Sequence, residues 1–247
     1  MILQRLATSI RKQDWFAVGV DFLVVVLGIL LALQITQCSN RSALHAQQKA
    51  ATRDMLGESV EIIRYLRESS DTAESRLSLL DETVAALASK DAGKLSSEEV
   101  ASALTTLRIY PAITPPRDVY DALAGAGDLD LIADRGARRE ISRYYARLRH
   151  VEGQLDYFRI TAARYDIDHA GLTTTYDPKS RNRSFHQADI RKLSADAQYV
   201  ENAVILLRNQ LEFHRYRRDL LEQAESMCLM LGEAAKLPCV AYEENAQ

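Results

Sequence analysis

Apolar and polar positions along this chain change pattern several times, and each pattern predicts a different element. From Phe16 to Ile35 the run is apolar, broken only by Asp21 and Gln34. At a rise of about 1.5 Å per residue it covers roughly 30 Å, one crossing of a hydrocarbon core. Residues 15–37 are therefore read as a transmembrane anchor, with Trp15 as its interfacial residue. Beyond Cys38 the pattern becomes amphipathic. Leu56, Ser59, Ile63, Leu66, Ser70, Ala73, Leu77, Leu80, Val84 and Leu87 alternate three and four apart, the seam of a helix packed lengthwise against others. No Pro or Gly cluster stops that helix before Lys90-Asp91-Ala92-Gly93.

Two short helices are expected next. The first opens on the capping box Ser96 and Glu99 and closes before Pro111. The second begins around Thr114-Pro115-Pro116 and stops at Gly125-Ala126-Gly127. A second long helix follows, capped by Asp134, with the seam Ile141, Tyr144, Leu148, Val151, Leu155, Phe158, Ala162 and Tyr165. The stretch Gly171–Phe185 mixes Thr, Pro, Ser and Asn without helical period and reads as a loop. The last helix takes Ile190, Leu193, Ala197, Val200, Val204, Leu207 and Leu211, then drifts through Phe213 and Leu220 to Met227 and Leu231. The fold class is all-α: an N-terminal transmembrane helix followed by an elongated antiparallel bundle of about four helices, residues 38–247.

Charge adds orientation. Residues 1–14 carry Arg5, Arg11 and Lys12 against Asp14, which by the positive-inside rule keeps this segment cytoplasmic and sends the C-terminal part across. Arg41, Lys49 and Arg53 beyond the anchor weaken that bias. A cleaved signal peptide competes, but its apolar region is shorter, about 7 to 15 residues, and ends on small residues. Gln37 occupies the position where a lipoprotein signal before Cys38 wants a small residue. An uncleaved signal anchor is the better reading. The net charge of −3 comes from acids and bases interleaved along the same helices, a pattern that excludes a nucleic-acid binder.

Within the anchor, Asp21 would cost about 2.5 to 3.5 kcal/mol at the centre of a bilayer and is a functional candidate on that ground. It also lies close enough to Trp15 to reach headgroup water or to be protonated. Ala17, Asp21, Gly28 and Ala32 share one face, and Gly28 and Ala32 form a small-xxx-small pair suited to helix association. The three cysteines do not form a disulfide framework. Cys228 and Cys239 flank a helix end at Gly232, where a bridge and two free thiols are both open readings. Cys38 is left over beside the membrane.

Chemistry is sparse. Gly125-Ala126-Gly127-Asp128 lies between helices and is a turn rather than a phosphate loop; no nucleophile elbow or zinc helix occurs, and the five histidines are scattered singly. Asp166, Asp168 and His169 lack further ligands and read as a solvated helix end. No catalytic residue, metal site or cofactor is expected. Arg135, Arg138, Arg139, Arg143 and Arg147 crowd the start of the second long helix. They are either an anion grip, Arg135, Arg138 and Arg139 foremost, or a solvated face paired with Asp128, Asp130, Asp134 and Glu140.

Two segments carry a resemblance. The anchor from Gly19 through Asp21 to Gly28-Ile29-Leu30 and Ala32-Leu33-Gln34-Ile35 resembles that of a family of uncharacterised single-pass bacterial membrane proteins, with Val20 inserted and Asp21 in place of Glu. Tyr120, Leu123, Gly127, Leu129, Leu131-Ile132, Arg138, Ile141 and Tyr144-Tyr145 are similar to a second pattern of that family, a domain of unknown function. The resemblance implies an inner-membrane protein with a periplasmic helical domain and supplies no activity. The leading expectation is a non-enzymatic interaction or assembly protein. Its partners would be the bilayer, through residues 15–37, and a second copy or another membrane protein. The alternative is a periplasmic sensing bundle that binds an anionic small molecule.

Overall fold

The computed structural model describes residues 15–91, 93–179 and 184–240, with side chains from Phe22 onward except Ile35. Residues 1–14, expected to be cytoplasmic, and the Asp21 side chain lie outside the described part. Helix α1 runs Trp15–Ser89, and the chain divides into two compact units, Met1–Ala51 and Thr52–Gln247.

In the first unit, α1 is long and apolar enough to cross a membrane. Phe22, Leu23, Val24, Val25, Leu27, Ile29, Leu30, Leu31 and Leu33 are all exposed. Gly28 and Ala32 lie open as well, and a Cβ at Gly28 would meet nothing within 4 Å.

In the second unit the α1 seam is buried at every expected position except Ala73, which is half-buried. Of its two hydroxyl-bearing members, Ser59 donates to the Leu56 carbonyl at 2.6 Å, while the Ser70 hydroxyl is buried without a partner among the described residues. Helix α2, Ser97–Thr106, carries the expected capping box at Ser96 and Glu99. Helix α3, Asp118–Ala126, begins later than expected because Pro115 and Pro116 stay in the connecting strap; it ends on Gly127 at φ 76°, left-handed backbone that favours glycine. A 3-10 turn at Leu129–Leu131 then leads into α4, Arg135–Ala162, whose cap Asp134 accepts from the Ala137 N–H at 2.8 Å.

Residues 171–185 correct the loop expectation. Strands β1, Leu172–Tyr176, and β2, Ser184–Ala188, pair antiparallel, with Leu172 opposite Ala188 and Tyr176 opposite Ser184. The hairpin is seated on α2: the Ser97 hydroxyl donates to the Ala188 carbonyl at 2.8 Å and accepts from its N–H at 3.0 Å.

The last helical region is two helices. Helix α5, Ile190–Ala195, ends at Asp196, whose side chain also opens α6, Ala197–Ala235, by accepting from the N–H groups of Gln198 and Tyr199. That break resets the helical phase. Val204 and Leu211, expected in the seam, are 46% and 47% exposed. The buried line is Tyr199, Ala203, Leu206, Gln210, Phe213, Arg217, Leu220, Ala224, Met227 and Leu231, alternating four and three apart without interruption. Two of those seam positions, Gln210 and Arg217, are polar.

Helix α4 packs along α6, and α1 meets both: Arg67 pairs with Glu225 at 2.5 Å, and Glu58 accepts from the Tyr145 hydroxyl at 2.7 Å. Past α6 the chain turns back through Lys236, and Cys228 and Cys239 form a disulfide with their Cα atoms 5.6 Å apart. A Cβ at Gly232 would lie 2.8 Å from the Leu237 carbonyl oxygen, so the returning tail needs the glycine. Closing so short a loop contributes about 3 kcal/mol in the chain-entropy account.

Candidate ligand pocket

The polar interruptions of the α6 seam lead to a cavity of about 380 Å³ within the second unit. Helix α1 lines it with Tyr65, Glu68, Ser69, Arg76, Leu77 and Leu80; the strap between α2 and α3 adds Pro111 and Ala112; and α6 adds Gln210, Phe213, His214 and Arg217. The strap is held by side chains from three helices. Gln210 donates its amide N–H groups to the carbonyls of Leu107 (2.8 Å) and Ile109 (3.1 Å). Arg159 donates twice to the Tyr110 carbonyl, at 2.9 and 3.2 Å, and the Tyr65 hydroxyl accepts from the Thr114 N–H at 2.8 Å. These groups are spent on structure. They give the pocket a fixed end.

Arg217 is different. Its residue is only 3% exposed, its Nε is buried, and among the described residues it has neither a hydrogen-bond acceptor nor a carboxylate partner. Its guanidinium carbon lies 5.0 Å from the centroid of the Phe213 ring, and Tyr65 also favours its charged form. Phe213 is fixed in turn by edge-on packing against Tyr110 at 5.7 Å and Phe158 at 6.0 Å. Burial, followed by the nearby Arg76 charge, lowers the Arg217 pKa from its usual value. Two other arginines in the helical packing do have carboxylate partners, Arg67 in Glu225 and Arg147 in Asp219 at 2.6 Å, although the Arg147 Nε is likewise buried without an acceptor. Burying a cation without a partner costs several kcal/mol, and buried charges in proteins are as a rule paired. Arg217 departs from that rule at the wall of a cavity.

His214 adds a second unsatisfied group, its buried Nδ1 lacking a partner. Its pKa is lowered from 6.5, first by burial, then by Arg217 and Arg218, with Glu74 opposing. The other charged groups around it are Glu68, Arg76 and Asp81 on α1 and Arg208, Glu212 and Arg215 on α6. Because the folded protein binds this proton less well than the unfolded chain, stability is retained above about pH 6.5 and falls as pH drops below it. His214→Gln is expected to flatten that decline. Unfolding midpoints measured from pH 8 to pH 5 check it, and an unchanged slope would refute it.

The arginines singled out from sequence serve elsewhere. Arg138 donates to the Ile132 carbonyl at 2.7 Å and lies 3.7 Å from Asp130, fastening the turn into α4, while Arg135 and Arg139 are exposed. Arg143 pairs with Glu140 at 2.8 Å. Arg108 reaches Asp168 at 3.5 Å and His169 lies 3.8 Å from Asp196; no group of side chains suited to a metal ion occurs among the described residues. Arg217 went unnoticed because the expected line, after Val204 and Leu211, passed from Phe213 to Leu220 on apolar residues alone and left the polar position between them unassigned. The signal was present in the spacing of Leu206, Phe213, Leu220 and Met227, seven apart, with Gln210 and Arg217 falling between them.

A third buried polar centre has a structural role. Glu58 is 6% exposed on α1, and its carboxyl oxygens accept from the Val119 N–H at 2.6 Å, the Tyr120 N–H at 3.1 Å and the Tyr145 hydroxyl at 2.7 Å. Arg117, at the N-cap of α3, makes no side-chain cap, so Glu58 supplies the acceptor for that helix start from another helix. Tyr145 stacks on Tyr120 with 3.5 Å between centroids, and burial, then the bond to Glu58, raises its pKa.

Comparison with known proteins finds no matching family, curated protein or solved structure.

Proposed function

We propose that this protein is a single-pass membrane-anchored receptor domain that binds a small anionic ligand between α1 and α6. The observation that carries the reading is Arg217: a buried guanidinium without a carboxylate, set in the wall of a cavity large enough for a metabolite. A bound anion supplies the missing partner, and Arg76 and His214 stand beside it. In this reading the domain sits at a bacterial inner membrane with the N-terminus cytoplasmic and the bundle periplasmic. The basic segment 1–14, the exposed apolar stretch of α1 and the Cys228–Cys239 bridge, which suits an oxidising compartment, support that placement. Two of the pocket's polar side chains, Gln210 and Tyr65, are engaged in holding the strap, which leaves Arg217, Arg76 and His214 to meet a ligand.

The test is thermal unfolding of the full chain in lipid nanodiscs against a panel of organic-anion metabolites, with Arg217→Met in parallel. At least one anion at a hundred times its Kd should stabilise the wild-type chain by about 2.7 kcal/mol and leave the variant unmoved. A flat response from both chains across the panel would overturn the reading.

A further inference from the structure

Resting on the assignment of the Arg217 cavity as an anion site, the geometry points to the class of anion: an organic monoanion with a substantial apolar body, and not inorganic phosphate, sulfate or a polyanionic metabolite. Three features of the cavity carry this.

The first is size. About 380 Å³ lies within the range of pockets that enclose small organic ligands, roughly 300 to 1,000 Å³, and a tetrahedral inorganic anion would leave most of it unfilled. The second is the sorting of the walls. The buried cation is single, and one side of its guanidinium is covered by the Phe213 ring. Leu77, Leu80 and Phe213 are 8%, 1% and 2% exposed and face the cavity with Ala73 and Pro111, so a head held by Arg217 leaves its remaining atoms against hydrocarbon. The third is the charge at the mouth. Glu68 and Arg76 are both exposed there and offset each other, so a second negative charge would gain one cation and meet one carboxyl group. Inorganic phosphate or sulfate would need several convergent donors; here Gln210 and Tyr65 are committed to the strap, the Thr72 hydroxyl to the Glu68 carbonyl, and Arg76 is offset by Glu68, which leaves Arg217 and His214.

The experiment uses the full chain in lipid nanodiscs and isothermal titration calorimetry with three probes: 4-butylbenzoate, the isosteric neutral 4-butylbenzamide, and inorganic phosphate. Empty nanodiscs account for partition into lipid. The expected result is saturable binding of 4-butylbenzoate, weakened at least tenfold in Arg217→Met, with 4-butylbenzamide at least tenfold weaker on the wild-type chain and phosphate giving no saturable heat. Phosphate binding as tightly as 4-butylbenzoate, and lost in Arg217→Met, would overturn the apolar-body inference and leave the anion site standing. Equal binding of benzoate and benzamide would overturn the need for charge. Absence of any Arg217-dependent binding would overturn both the inference and the function it rests on.

Discussion

Replacing Glu58 with alanine is expected to lower the unfolding free energy by about 3 to 5 kcal/mol, the largest loss from any single side chain outside the apolar core. Three donors lose their acceptor at once: the N–H groups of Val119 and Tyr120 and the Tyr145 hydroxyl. The first two open α3, and Arg117 provides no side-chain substitute. For a domain of this size each kcal/mol corresponds to about 2 to 4 °C, so the thermal midpoint of the full chain should fall by roughly 6 to 20 °C. Tyr145→Phe removes only one of the three donors together with its hydroxyl and should cost about 1 kcal/mol. Midpoints measured side by side would decide it, and a Glu58→Ala effect no larger than that of Tyr145→Phe would show that Glu58 does not hold α3.

Arg217→Met carries the opposite sign. Methionine keeps an unbranched apolar stem in the seam between Phe213 and Leu220 and removes a buried cation that has no carboxylate partner. Replacing buried charge by apolar groups stabilises by about 1 to 4 kcal/mol, while the lost contact with the Phe213 ring costs about 0.5 to 2. The ligand-free protein should therefore gain about 1 to 2 kcal/mol and melt a few degrees higher. Arg147→Met is the control, since it strands Asp219 and should destabilise. If both replacements lowered the midpoint equally, Arg217 would be a structural residue, and its solitude in the seam would need another cause. A gain would be the signature of a site whose stability is surrendered to binding, as functional positions commonly show.

Much of the helical framework was legible because its determinants are local. The Ser96 and Glu99 box, the Asp134 cap and the Gly127 stop each act within one turn, and the seams of α1 and α4 keep one phase over their packed length. The hairpin was not legible. Thr173, Thr174 and Thr175 lie on an exposed two-stranded ribbon, so no apolar alternation marks them, and β2 is fixed by Ser97, far away in sequence. The α6 error came from carrying one periodicity through Asp196, a residue that belongs to two helices. Glu58 reads as an ordinary surface acid in a helix rich in them; the donors that bury it come from α3 and α4, contacts that only tertiary structure creates. Candidate arginines were sought in the cluster at the start of α4, whereas Arg217, itself beside Arg215 and Arg218 in sequence, is distinguished by burial without a carboxylate.

Asp196 has one more consequence. Its side chain sets the angular origin of α6, and Arg217 lies about six turns downstream of it. Inserting or deleting a single residue anywhere in that interval would rotate Arg217 by about 100° around the helix axis, carrying the guanidinium from the cavity wall toward solvent. The position of Arg217 at the cavity wall is thus encoded as a length as much as a composition. Divergence in this stretch should tolerate many side-chain changes and reject a shift in spacing.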